Sequence, residues 1–158
     1  MSEQGASVVA IEEIYRTRGA AFLRLALART GDPDRAHDAL HDGFVRAIKS
    51  RGSFSGRGSL EAWIARCVIN AAHDTRRVRE EDGEVDPIGE EPAFAERMIA
   101  REAVAQLPQR QRDVLFLRHY LDLSYAEIAE ALELEVGTVS ATLHAARGAL
   151  VEALQEAV

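Results

Sequence analysis

Between Arg51 and Arg79 stand six arginines against two acidic residues, with Phe54, Trp63 and the glycine-rich run RGSFSGRGS among them. Guanidinium groups neutralise phosphates, and aromatic faces or a loop pocket accept unstacked bases, so this composition suits single-stranded DNA. Trp63, Ile64, Cys67, Val68 and Ala71 also fit a buried helical stripe, and Trp63 and Cys67 are expected in the core. Elsewhere His37 and His41 have the i, i+4 spacing of the H-E-x-x-H zinc motif. That chemistry needs a glutamate base where this chain has Asp38, and no third ligand follows at suitable spacing, so a zinc hydrolase is disfavoured. There is no G-x-S-x-G nucleophile motif and no phosphate loop. Cys67 is the single cysteine, which rules out an internal disulfide and a cysteine-rich zinc site. Neither an enzyme activity nor a cofactor or metal is expected.

Two further groups bear on binding. Asp34, Asp38, His41 and Asp42 share one side of a helix, opposite its apolar stripe. Such a face is either merely solvated or a docking surface for a basic partner. Residues 124–150, SYAEIAEALELEVGTVSATLHAARGAL, have the spacing of a helix-turn-helix. Ser124 and Glu127 form the S-x-x-E pattern of a capping box, which predicts a helix starting at Tyr125. Ile128, Ala129 and Leu132 line its inner face, a break follows at Glu133–Glu135, and Val139, Leu143, Ala146, Leu150 and Leu154 line a second helix. Leu134 and Val139 would plug the corner. Units of this kind usually offer the second helix to the DNA major groove.

The elements that must position these groups are helical throughout. Helix-favouring residues dominate the 158, and alternating strand patterns are absent, so the fold class is all-α. Helices are expected over about Val8 to Arg29, from Asp32-Pro33 to about Lys49, from Leu60 capped by Ser59 to about Arg79, up to Leu107-Pro108, and over Gln109 to Tyr120. Charge is unevenly distributed: residues 1–79 carry thirteen basic and nine acidic groups (net +4), 80–102 two and nine (net −7), and 103–158 four and eight (net −4). The strip EEDGEVDPIGEEPAF, rich in acid, Pro and Gly, predicts a flexible linker. The organisation is therefore two small helical domains, 1–79 and 98–158, joined by an acidic linker at 80–97, the second ending in the helix-turn-helix. No apolar run approaches membrane-spanning length, and MSEQGASVVAIEE lacks a signal-peptide pattern, so the expected location is the cytoplasm.

Read together, the segments resemble the extracytoplasmic-function (ECF) group of bacterial RNA polymerase sigma factors. Residues 34–44, DRAHDALHDGF, look like the family's D-x-E-D-L-V-Q-E-T-F helix. Ser59, Trp63, Asn70, Asp74, Arg76 and Arg77 look like its S-x-x-x-W-L-x-x-I-x-x-N-x-x-x-D-x-x-R-R helix, allowing for drift that brings the arginine pair one residue early, and LPQRQRDVL with LSYAEIA is close to its C-terminal domain. Gly137-Thr138-Val139 opens the recognition helix as in the family. The resemblance implies that Asp34, Asp38, His41 and Asp42 dock on core RNA polymerase. It implies that Phe54, Arg57, Arg66, Asn70, Arg76 and Arg77 hold the non-template strand of the downstream promoter element. Thr138, Ser140, Ala141, His144 and Arg147 would read the upstream duplex, while the apolar flank packs on the polymerase flap. The acidic linker would enter the path of nascent RNA, and an anti-sigma protein is an expected partner.

Some positions depart from that pattern. His41, Asp42 and Gly43 replace a common Gln-Glu-Thr, and Ile48 stands where Trp is usual. Ser140, Thr142 and Ala145 fall where the family commonly has Lys or Arg, leaving Arg147 and His144, so upstream reading should be weak. Glu133 sits at a turn position that favours Gly. Two alternatives stay open at this point: a sigma-like regulator that binds polymerase or an anti-sigma protein without recognising promoters, and a stand-alone helix-turn-helix regulator.

Overall fold

The computed structural model describes residues 5–56, 58–82 and 102–156, with side chains of the third helix as far as residue 75. Every regular element among them is helical. Helix α1 spans Val8–Thr30; the Ser7 hydroxyl caps it by accepting from Ala10 N at 3.1 Å, and Gly31 ends it in the left-handed region at φ 71°. Helix α2 spans Pro33–Lys49, with proline in its first turn and the Asp32 carboxylate accepting from Asp34 N at 3.3 Å. A short 3-10 turn at Arg51–Ser53 leads through the glycine loop to α3, Leu60–Asp82, capped by Ser59 Oγ accepting from Ala62 N at 3.0 Å. Residues 102–106 are helical and break before Pro108. Then come α4 (Gln109–His119), α5 (Tyr125–Leu132) and α6 (Val136–Glu156).

Helices α1, α2 and α3 form one bundle around Phe22, Leu25, Phe44, Ile64 and Val68, all buried. Removing each such side chain from water contributes about 1.5–3 kcal/mol. Gly43 lets α2 and α3 cross closely: a Cβ there would lie 2.7 Å from Val68 Cα. Phe44 also receives the edges of Phe22 and Tyr15 at ring separations of 5.3 and 5.0 Å. Helices α4, α5 and α6 enclose Val114, Leu117, Leu121, Ile128, Val139 and Leu143. The capping box is present with both of its hydrogen bonds: Glu127 N donates to Ser124 Oγ (3.1 Å) and Ser124 N to Glu127 Oε1 (3.0 Å). No helix among the described residues is long and apolar enough to cross a membrane.

Three local expectations shift. Helix α3 continues past Arg79 to Asp82, because Arg and Glu are good helix formers and nothing in that turn breaks the helix. Trp63 and Cys67 are half-buried at the bundle's margin, with the Trp63 ring tilted on Phe54 at 5.6 Å. Leu154 is 41 % exposed, one turn beyond the last residues that α4 and α5 can cover. The remainder of the expected linker, 83–97, lies outside the described residues, as does Arg57.

Candidate nucleic-acid and partner interfaces

Three surfaces can be built from these elements. On α2, burial of Ala36, Ala39, Leu40, Gly43, Phe44 and Ala47 fixes the helix rotation and turns Asp34, Asp38 and His41 to solvent. Asp42 is half-buried because Arg46 Nη2 pairs with it at 2.8 Å and with Asp74 of α3 at the same distance. The bond to Asp74 is the main reason that the Arg46 guanidinium is held still more firmly protonated than usual. One of the four groups expected to dock is thus already engaged within the chain.

The second surface is the loop and α3. Phe54 is half-buried against Trp63, so the aromatic pair braces the loop and leaves limited ring area open to solvent. Gly56 and Gly58 take positive φ (78° and 73°), a conformation that lets the loop turn back tightly to Ser59. Arg66 and Asn70 are exposed, one turn apart, on the same side of α3. Burial pushes the Cys67 thiol above its ordinary range, which leaves it a packing residue and not a nucleophile. Arg76 and Arg77 continue along α3, their side chains outside the described residues.

The third surface is α6. Val139, Leu143 and Ala146 are buried and define its inner stripe. Thr138, Ser140, Ala141, His144 and Arg147 all fall on the exposed side, as a groove-entering helix requires. The turn before it carries Glu133 at φ 57°, ψ 47°, the left-handed conformation expected at a glycine-preferring site.

The structure adds contacts between the two helical groups that sequence reading missed. Arg29 of α1 pairs with buried Asp113 of α4 at 3.2 Å, and Gln109 Nε2 donates to the same carboxylate at 2.9 Å. Burial nonetheless dominates and pushes the Asp113 carboxyl above its ordinary range. The Arg24 guanidinium lies 5.0 Å over the Tyr120 ring, and Arg18 donates to the Tyr120 carbonyl at 3.2 Å. Arg66 pairs with Glu133, Ser59 stands near Glu127, and the Glu130 carboxylate lies against Gly58. The nearby Ser59 hydroxyl is the main reason that Glu127 is held below the ordinary carboxylate range. A cleft of about 340 Å³ between the groups is lined by Arg29, Arg66, Asn70, Arg110, Asp113 and Glu133 among others. The only trace of these contacts in the sequence is the spacing of Glu127, Glu130 and Glu133.

Comparison with known proteins fits this layout. The family model described as Sigma-70 region 2 matches residues 14–81, and that described as Sigma-70, region 4 matches residues 97–150. The RNA polymerase sigma-E factor of Streptomyces avermitilis is 32% identical over 157 residues, covering 94% of this chain and 87% of the relative. The ECF RNA polymerase sigma factor SigL of Mycobacterium tuberculosis is 30% identical over 163 residues, covering 96% and 92%. Among solved structures, the fold is shared with the sigma factor RpoE in complex with the anti-sigma factor NepR from Bartonella quintana (TM-score 0.78, 22% identity, 94% of this chain and 98% of that one). It is shared too with CnrH in complex with the cytosolic domain of CnrY (TM-score 0.73, 23% identity, 96% and 91%). An all-helical pair of bundles, a capped helix-turn-helix and likeness to sigma factors over more than nine-tenths of the chain together assign it to the sigma-70 family of RNA polymerase sigma factors, in its extracytoplasmic-function group, whose members direct transcription from promoters.

Proposed function

We propose that this sigma factor divides its work between a domain at 1–79, an acidic linker at 80–97 and a domain at 98–158, with most promoter selection in the first. Asp34, Asp38, His41 and Asp42 dock on core RNA polymerase, the exposed negative charge of Asp34 and Asp38 matching a basic surface. Phe54, Arg57, Arg66, Asn70, Arg76 and Arg77 hold the separated non-template strand. Each base-pair step opened costs about 1.4 kcal/mol of stacking, so a site that binds only the unstacked strand shifts the balance towards the open promoter. Thr138, Ser140, Ala141, His144 and Arg147 contact the upstream duplex, mainly to anchor it. The acidic linker runs where nascent RNA leaves, its carboxylates standing in for phosphates. The factor itself alters no covalent bond, works in the cytoplasm, and is held in check by an anti-sigma protein, as the RpoE and CnrH complexes suggest.

One observation carries the division of labour: residues 51–79 hold six arginines, whereas residues 133–150 hold a single one, Arg147. Since cation–phosphate contacts supply much of DNA affinity, the first segment dominates. Run-off transcription with core polymerase tests it. The double variant Arg76→Ala, Arg77→Ala should abolish initiation, and Arg147→Ala should leave most of it. The reverse result would place promoter selection in the C-terminal domain.

A further inference from the structure

Of the three surfaces described above, two face solvent alone and one is faced across a cleft by the other helical group. Asp34, Asp38 and His41 are exposed, and so are all five α6 residues assigned to the upstream duplex. Arg66 and Asn70, in contrast, look into the cleft whose far wall is α4 and α5. The cover has a chemical character. Glu127, Glu130 and Glu133 recur every three residues, which puts their carboxylates along one edge of α5 and its C-terminal turn. Each meets a different part of the strand-holding face. Ser59, at the start of α3, is close enough to Glu127 to lower the proton affinity of its carboxyl. Glu130 lies against Gly58 so closely that a Cβ on that glycine would overlap its carboxylate. Glu133 pairs with Arg66.

Glu133 adds an independent sign. It is one of two non-glycine residues with positive φ among those described, in a turn where glycine would sit without strain. Glycine could not reach Arg66. The strained backbone therefore coincides with the one side chain at that turn that bridges to the other helical group.

We propose that α5 is a built-in mimic of the DNA strand: Glu127, Glu130 and Glu133 occupy, in the free factor, the places that phosphates of the non-template strand take in the open promoter. The inference rests on the assignment of Arg66 and Asn70 to that strand. It gives the free factor a reason not to hold single-stranded DNA on its own, while its docking face and upstream-reading helix stay available. The ion pair on this face is exposed and weak, and polymerase, by engaging both halves, would also have to release the buried pair of Arg29 with Asp113. Apparent affinity falls in proportion to the open fraction, so a factor closed nine-tenths of the time binds about ten-fold more weakly than its open form.

The test uses the full chain without polymerase, with a fluorescein-labelled dT 20-mer as probe, read by anisotropy, and small-angle X-ray scattering for compactness. Glu130→Gln with Glu133→Gln should raise affinity for the probe about ten-fold and enlarge the radius of gyration. Glu133→Gly, which relaxes the turn and removes one latch, should move both readings the same way. The control Glu152→Gln with Glu156→Gln makes an equal change in net charge at the far end of α6. An equal gain in the control would reduce the effect to overall charge, and an unchanged affinity and radius in the cleft variant would show that these glutamates do not keep the strand-holding face closed; either overturns the proposal. Arg66→Ala in run-off transcription separates the two readings. Lost initiation with no opening by the cleft variants refutes the closure alone, whereas unimpaired initiation refutes the strand assignment and the mimicry with it.

Discussion

Replacing Glu133 tests the balance between backbone strain and an interdomain contact, since both meet in one residue. Its left-handed conformation costs a residue with a Cβ about 1–2 kcal/mol relative to the right-handed helix. Substituting glycine removes that cost but widens the unfolded ensemble, which takes back about 0.4–1 kcal/mol. Glu133→Gly should therefore be more stable than Glu133→Ala by about 0.8 kcal/mol, the middle of that difference. For a chain of this size that corresponds to a melting temperature higher by about 2–3 °C. The comparison of Glu133→Ala with the parent isolates the pair to Arg66, whose side chains are 44% and 68% exposed. Exposed pairs contribute about 0–1 kcal/mol, and 1 M salt shortens the screening length to about 3 Å, so this smaller difference should vanish there. The glycine–alanine gap, being steric, should persist. Differential scanning calorimetry of the three proteins at low and high salt measures both. A glycine variant no more stable than the alanine variant would refute the strain argument.

Other expectations concern the packing. Asp113→Ala leaves Arg29, 16% exposed, without its buried partner, and should cost about 3 kcal/mol, seen as a lower urea midpoint at unchanged slope. Gly43→Ala forces a Cβ to within 2.7 Å of the Val68 backbone and should cost about 1–3 kcal/mol by the same measurement. Because Glu127 is held below the ordinary carboxylate range, its stabilisation is complete above that range and is lost as pH falls through the lowered value. The advantage of the parent over Glu127→Gln in urea melts should accordingly be present at neutral pH and disappear in strong acid. Asp113 has the opposite sign. Its raised carboxyl favours the folded state most below the ordinary range, and that contribution is withdrawn as pH rises through the shifted value. Relative to Asp113→Asn, the parent should therefore lose stability as pH rises through that value.

Signals that act over three or four residues were legible in the chain. The Ser124–Glu127 box, the Asp32-Pro33 cap and the Ser59 cap each placed a helix start where the structure has it, because a cap satisfies backbone groups of its own first turn. The buried stripes of α2 and α6 followed from helical period, and the same period put Asp34, Asp38, His41 and Arg147 outside. Trp63 and Cys67 came out less buried than their types suggest, since hydrophobicity alone does not say how far a neighbouring helix reaches. The strain at Glu133 could be foreseen from turn chemistry, but not what the side chain does with it.

Composition, period and capping thus determined the all-helical class, the positions of the helices and which face of each is apolar, because those depend on chemistry within a turn or two. Only the tertiary structure decided that Arg29 meets Asp113, that Ser59 reaches Glu127, and that Arg66 meets Glu133 from 67 residues away. Those pairings depend on how two helical groups pack, and packing is set by the summed shape of many side chains, which no local spacing records.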